Sequence, residues 1–357
     1  MFYREAGQFK TNYASDQALF PIAQDRWFVI GVFLVALLVA PFVDDYWANA
    51  IMLPFLVYAL AAIGLNLLTG YCGQVSLGTG GFMAVGAFAT FKLTTAFPEL
   101  NFIVVVLLSG AITAAVGVLF GIPSLRIKGF YLAVATLAAQ FFLVWMFNKV
   151  EWFLNYSPTG QISMPPRELF GVLITSARAS PEARYLFCLV FVAVAALAAK
   201  NIVRGRVGRS WMAIRDMDIA AELIGIRPLV AKLTAFAVSS FYVGMAGSLY
   251  FAVWLGAAEP IEAFGIEQSF LVLFMVIIGG LGSIMGSFMG AAFMTLMPIL
   301  LKNFMVDGLQ LAVVTAKHVE ITLMGVLIIL FLIVEPHGFA RLWQIGKEKL
   351  RLWPFPH

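Results

Sequence analysis

Long apolar blocks, not alternation, organise this chain. Ten runs, near 27–43, 48–69, 81–97, 102–122, 129–147, 185–200, 232–254, 267–281, 284–301 and 319–335, carry the pattern. A helix needs about 20 apolar residues to cross a bilayer. The pattern therefore predicts an all-α fold, a polytopic membrane helix bundle of about ten spans. The eighth run is short. Gly279-Gly280-Leu281-Gly282 separates it from the ninth, so 267–301 reads either as two spans or as one re-entrant hairpin.

The runs make up a transmembrane block 27–335, preceded by a polar N-terminal segment 1–26 and followed by a basic tail 336–357. Residues 1–26 are too long and polar for a cleaved signal, so the first span reads as uncleaved. Segment 148–184 carries Pro158, Pro165, Pro166 and Pro181 and is predicted to hold one short helix and otherwise loop. Segment 201–231 is the largest polar insert on the other side.

Composition agrees. The 357 residues are 62% hydrophobic and 12% charged, with a mean hydropathy of +0.93. Soluble domains run near 45–50% apolar and about 25% charged, so this excess needs lipid to cover it. The net charge of +4 is spread over short loops and suits an anionic membrane surface rather than nucleic acid. Cys72 and Cys188 sit alone in apolar runs and read as small buried hydrophobes.

Charge also orients the spans. With an even span count, sixteen Lys and Arg fall on the side of the termini, among them Arg4, Lys10, Arg26, Arg126, Lys128, Arg206 and Lys347. Six fall opposite: Lys149, Arg167, Arg178, Arg184, Lys302 and Lys317. The positive-inside rule then predicts cytoplasmic termini, an external 148–184 and a cytoplasmic 201–231.

Several chemistries have no sequence support. There is no GxxxxGK[ST] phosphate loop, no HExxH and no GxSxG. His318, His337 and His357 stand at or beyond span ends and suggest no metal site. Span interiors read as free of Asp and Glu, with Glu320 and Glu335 at the two ends of the last span. Ion-coupled carriers usually keep an ionisable group at membrane depth, although backbone carbonyls can also bind a cation. A membrane enzyme would need a polar catalytic cluster, and none is visible.

Two segments carry the functional signal. In the first, five glycines interrupt the helix pattern at Gly70, Gly73, Gly78, Gly80 and Gly81, interleaved with Gln74, Ser76 and Thr79. Broken backbone at membrane depth is tolerated where it lines a cavity or is buried in protein. These positions are candidates for a polar substrate path. The same residues would equally suit close helix packing. A second break holds Gly279, Gly280 and Gly282. The two adjoin spans three and eight, which raises a five-plus-five inverted repeat with glycine-broken helices.

The second segment is 208–226. Asp218–Leu223 is a good helix former that Gly225 can cap. Ala220 and Ala221 would let a partner approach, and Trp211, Met212, Ile219 and Leu223 would offer apolar contact. The helix suits a groove in another protein or, equally, the headgroup surface.

At these segments the chain resembles the permease subunits of branched-chain amino acid ABC importers, the LivM-like family. The matching stretches are LNLLTGYCGQVSLGTGGFMAVGAF, RIKGFYLAVATLA, GRSWMAIRDMDIAAELIGI and VIIGGLGSIMGSFMGA, in that order over about residues 50–335. The external Ser157–Ile162 departs from the TGGxNG that relatives often show there. The resemblance implies a bacterial inner-membrane permease with no cofactor of its own and no catalytic residue. ATP would be bound by separate ATP-binding cassette subunits. Arg209, Arg215, Asp218, Ala221, Glu222 and Gly225 would form the coupling helix that docks on them. Gly70, Gly73, Gln74, Ser76, Gly78, Thr79, Gly80, Gly279, Gly280 and Gly282 would line the translocation path. A sister permease and a periplasmic or extracellular solute-binding protein are the other implied partners, besides lipid.

Overall fold

The computed structural model describes residues 11–12, 18–20, 23–125, 131–175, 179–310, 312–335 and 337–352. Arg4, Lys10, Arg126, Lys128, Arg178 and His357, used above, lie outside them.

Helix α1 (Ala23–Val39) leads through a 3₁₀ turn, one α turn and a wide π turn straight into α2 (Leu53–Cys72). Helices α3 (Thr79–Ala96), α4 (Phe102–Leu125) and α5 (Tyr131–Lys149) complete the first half. Three short strands follow, β1 (Ile162–Ser163), β2 (Arg167–Leu169) and β3 (Val172–Thr175). Then come α6 (Pro181–Arg204), α7 (Arg206–Leu223), α8 (Pro228–Leu249), β4 (Ala257–Ala258) and α9 (Pro260–Phe264). Helices α10 (Ile266–Gly279), α11 (Ile284–Asn303), α12 (Val313–Val334) and α13 (Phe339–Leu352) end the chain.

Among the described residues, nine helices are long and apolar enough to cross a membrane. The fold is an all-α polytopic membrane bundle. Helix α3 is the predicted span that falls outside these nine, and its environment explains why. Thirteen of its 18 residues are buried inside the protein, so it faces helices rather than lipid. Hydroxyls replace apolar contacts there: Thr90 Oγ1 lies 2.9 Å from Ser109 Oγ and 2.7 Å from Ser248 Oγ.

Helix α2 is the axis of the bundle. It is apolar all round and buried on every side except at Phe55, as a central helix should be. It crosses α8. Helix α8 also packs on α3 and α4, and α2 packs on α10 and α11. The second span of each half thus rests on the third and fourth spans of the other, which supports the five-plus-five arrangement. The break that precedes α10, as 73–78 precedes α3, is the stretch around Gly256 and Gly265; Gly279–Gly282 follows α10 instead. Helices α10 and α11 are separate and antiparallel, each within a bilayer-length run. Their backbones touch: a Cβ on Gly290 would lie 1.8 Å from the Met275 carbonyl oxygen.

Two expectations are corrected. Segment 148–184 holds no short helix among its described residues before α6. It carries instead the β2–β3 hairpin and β1, which pairs antiparallel with β4. Adjacent prolines at 165–166 stop helix formation, and Arg167 pins the hairpin by donating to the carbonyls of Thr94 and Pro98 at the end of α3. Second, α12 begins at Val313, so Glu320 lies in its third turn and not at its end. It is buried and paired with Lys317 Nζ at 2.8 Å. The basic tail contains a helix, α13.

Candidate functional site

The first glycine break closes one helix and opens another. Helix α2 ends at Gly73, whose left-handed backbone (φ 71°) suits glycine. The amides of Gly73 and Gln74 both donate to the Leu68 carbonyl. The chain then runs without helix to Gly78. Gly73 and Val75 are exposed and Gln74 half-buried, while Ser76, Gly78, Thr79 and Gly80 are buried.

Helix α3 therefore starts inside the bundle, and its first amides need partners. Gly80 N donates to Ser269 Oγ at 2.8 Å, and Gly81 N to Gln140 Oε1. Gln140 Nε2 donates to the Phe264 carbonyl at 2.8 Å, and Ser269 Oγ to Gln140 Oε1 at 3.0 Å. Leu77 N donates to Thr136 Oγ1 at 2.9 Å. Gln140 is the midpoint of α5, which fixes the depth of this start. The interior half of the break is thus filled by side chains, and its open face is Gly73, Gln74 and Val75.

The second break meets the first. Gly282 N donates to Asn66 Oδ1 at 2.8 Å. Asn66 Nδ2 donates to the Ser283 carbonyl and to Ser287 Oγ, each at 2.9 Å. A Cβ on Gly70 would stand 2.2 Å from Gly282 N, so only glycine permits this approach. Gly280 (φ 115°) packs against the turn into α13, where a Cβ would meet the Ala340 methyl at 2.8 Å. Gly279 faces Gly286 across the α10–α11 hairpin.

Helix α7 lies beneath this junction. Trp211 is buried and donates from Nε1 to Thr234 Oγ1 at 3.1 Å, which anchors α7 to α8. At Met217 the backbone leaves helical values (φ −162°, ψ 100°) and splits the helix in two. The distal piece, from Asp218, ends in a glycine cap: Gly225 N donates to the Glu222 carbonyl and Ile226 N to that of Ala221. The kink rotates the faces. Met217, Ile219, Leu223 and Ile224 are exposed, with Leu223 at 85%. Trp211 and Ala221 point inward and are not available to a partner, contrary to the sequence expectation. Arg209, Asp218, Glu222 and Gly225 are exposed, and Lys232 Nζ lies 3.7 Å from Asp218 Oδ2.

The sequence profile described as "Branched-chain amino acid transport system / permease component" matches residues 47–333. The chain belongs to this permease family. It is similar to the high-affinity branched-chain amino acid transport system permease protein LivM of Salmonella typhimurium (strain LT2), at 30% identity. The match covers 86% of this chain and 74% of that protein. The LivM of Escherichia coli K12 matches at the same identity and coverage. No solved structure matches. The family consists of transport components, not enzymes, and this permease is a multi-pass membrane protein.

Within the permease, the sites expected from sequence divide by depth. Gly70, Gly73, Gln74, Gly279, Gly280 and Gly282 gather at the α7 end. Ser76, Gly78, Thr79 and Gly80 lie in the interior. Arg215, which is exposed, also reaches the first break: Nη1 donates to the Gly70 carbonyl at 3.0 Å. Sequence reasoning missed Asn66, Gln140 and Ser269. For Asn66 and Gln140 the signal was present, since each is an isolated polar residue inside an apolar run, and such residues need buried partners; Ser269 follows Glu267 and Gln268 and gave no such signal.

Proposed function

We propose that this permease is the membrane subunit of a binding-protein-dependent ABC importer in the bacterial inner membrane. It moves branched-chain amino acids or a related small polar solute, and separate ATPase subunits energise it. A sister permease completes the membrane unit, and an external solute-binding protein delivers the solute. The observation that carries the reading is the distal piece of α7. It offers three exposed apolar side chains, Ile219, Leu223 and Ile224, on a short, capped, charged helix at one end of the bundle. Apolar groups ringed by charge suit a groove in a soluble partner.

Charge and connectivity support the orientation. Lys347 of α13 pairs with Asp25 of α1, and α13 abuts Gly280 beside the α7 junction. The described start of the chain, its last helix and α7 therefore share one end, the basic one. The hairpin and Lys92, bonded to the Trp152 carbonyl and Asn155, mark the opposite end.

Co-expression with the sister permease, ATPase and binding-protein subunits tests this. Leu223→Asp should leave the permease folded but remove ATPase subunits from the purified complex and abolish ATP-driven leucine uptake in proteoliposomes. Unchanged co-purification and uptake, or ion-driven uptake by this chain alone, would sink the reading.

A further inference from the structure

Arg215 sits where three separate elements meet. It belongs to α7, immediately before the Met217 kink. Its Nη1 donates to the Gly70 carbonyl at 3.0 Å, at the end of α2. The same nitrogen stands 3.4 Å from the point where a Cβ on Gly282 would lie, and Arg215 Cγ stands 3.0 Å from that point on Gly73. Asp216 holds the guanidinium from the other side, accepting from Nε and Nη2 at 2.9 Å.

The two glycine breaks are already joined beneath it. Asn66 accepts from Gly282 N at 2.8 Å and donates to Ser283 and Ser287. Asn66 is buried, so these bonds are not exchanged for water. One guanidinium thus links the loop helix to the end of α2, and Asn66 passes that link to the α10–α11 turn. The contacts to Gly70, Gly282 and Ser283 are made to backbone, and the glycines there lack any side chain to give way. A displacement of α7 therefore pulls on both breaks through this chain of bonds.

We propose that Arg215 is a positioning residue that transmits movement of α7 to the Gly70–Gly73 and Gly280–Gly282 breaks, rather than a contact to the ATPase. The inference rests on the reading of α7 as the docking segment. It adds that docking and transmission use different residues: Ile219, Leu223 and Ile224 dock, and Arg215, bonded through Nη1 to the Gly70 carbonyl, transmits. Arginine suits the role because its fixed fork can hold a carbonyl and a carboxylate at once, which a lysine ammonium does with less geometric control.

The test compares Arg215→Gln with Leu223→Asp in the full reconstituted complex, measuring three quantities: ATPase co-purification, ATP hydrolysis and leucine taken up per ATP. Arg215→Gln should keep co-purification and hydrolysis while uptake per ATP falls about tenfold, within the range of measured coupling energies. Arg215→Lys should recover part of the loss. Normal uptake per ATP in Arg215→Gln overturns the proposal, and so does loss of the ATPase subunits, which would make Arg215 a docking residue. If Arg215→Gln does not accumulate, Asp216→Ala frees the guanidinium without burying anything. It should lower uptake per ATP about threefold with co-purification intact, and an unchanged ratio overturns the proposal. Failure of Leu223→Asp to release the ATPase strikes the docking reading itself, whatever Arg215→Gln does.

Discussion

Lys347 Nζ and Asp25 Oδ1 stand 2.9 Å apart, joining the last helix to the first. The rings of Trp343 and Phe28 lie 5.3 Å apart beside them. The pair is partly exposed, so its electrostatic worth is small, on the order of 0–1 kcal/mol. Aromatic contact adds about 0.5–1.5 kcal/mol. Trp343→Ala should therefore loosen α13 more than Asp25→Asn does. Limited proteolysis in detergent checks this: cleavage near 339–352 should quicken clearly in the first variant and little in the second.

Gly70→Ala and Gly325→Ala make a matched pair. A methyl on Gly70 would lie 2.0 Å from Asn66 Oδ1, whereas nothing lies within 4 Å of one on Gly325. The first must part α2 from the α10–α11 turn and should cost more than about 3 kcal/mol, with loss of accumulated protein. The second replaces a helical glycine and should be neutral or stabilising by up to about 1 kcal/mol. Thermal unfolding of the two purified variants compares them directly.

Gln140→Leu keeps size but deprives the Gly81 amide and the Phe264 carbonyl of their partner. Leaving buried groups unsatisfied costs about 1–3 kcal/mol each. Ser269→Ala strands the Gly80 amide and breaks one bond to Gln140. Both should lower the melting temperature, Gln140→Leu by more. Equal melting of all three proteins would show that water fills the start of α3.

Topology can be read with thiol reagents. Cys72 and Cys188 are buried and free, so an impermeant maleimide should label neither in the folded permease. Phe170→Cys, at the hairpin tip with 89% exposure, should label from outside intact cells. Leu223→Cys should label only after the membrane is opened, and external labelling there would invert the orientation.

The sequence made the spans legible because apolar length is a strong signal, and even α3 showed as a run despite its hydroxyls. Packing between spans was much less legible. An isolated Gln or Asn in an apolar run announces a need for partners without naming them; Gln140 finds its partners at 81, 264 and 269, and Asn66 at 282, 283 and 287. The faces of α7 were misassigned at Trp211 and Ala221 because a single non-helical residue, Met217, resets the helical phase. Segment 148–184 was misread because strands of two to four residues leave no measurable alternation. The bond from Arg215 to Gly70 was not legible either, since a charge in a loop carries no sign of the carbonyl it will reach.

The bonds of Asn66 bear on how the protein is made. Its partner Ser283 is 217 residues further along the chain. At typical synthesis rates that interval lasts on the order of 10–40 s. Throughout it α2 is already in the bilayer, with a primary amide that no later helix has yet arrived to satisfy. The nascent chain must shelter that amide, by holding α2 in the insertion machinery or against its early neighbours, until α10 and α11 emerge. Biogenesis of this permease is therefore committed only when its second half arrives.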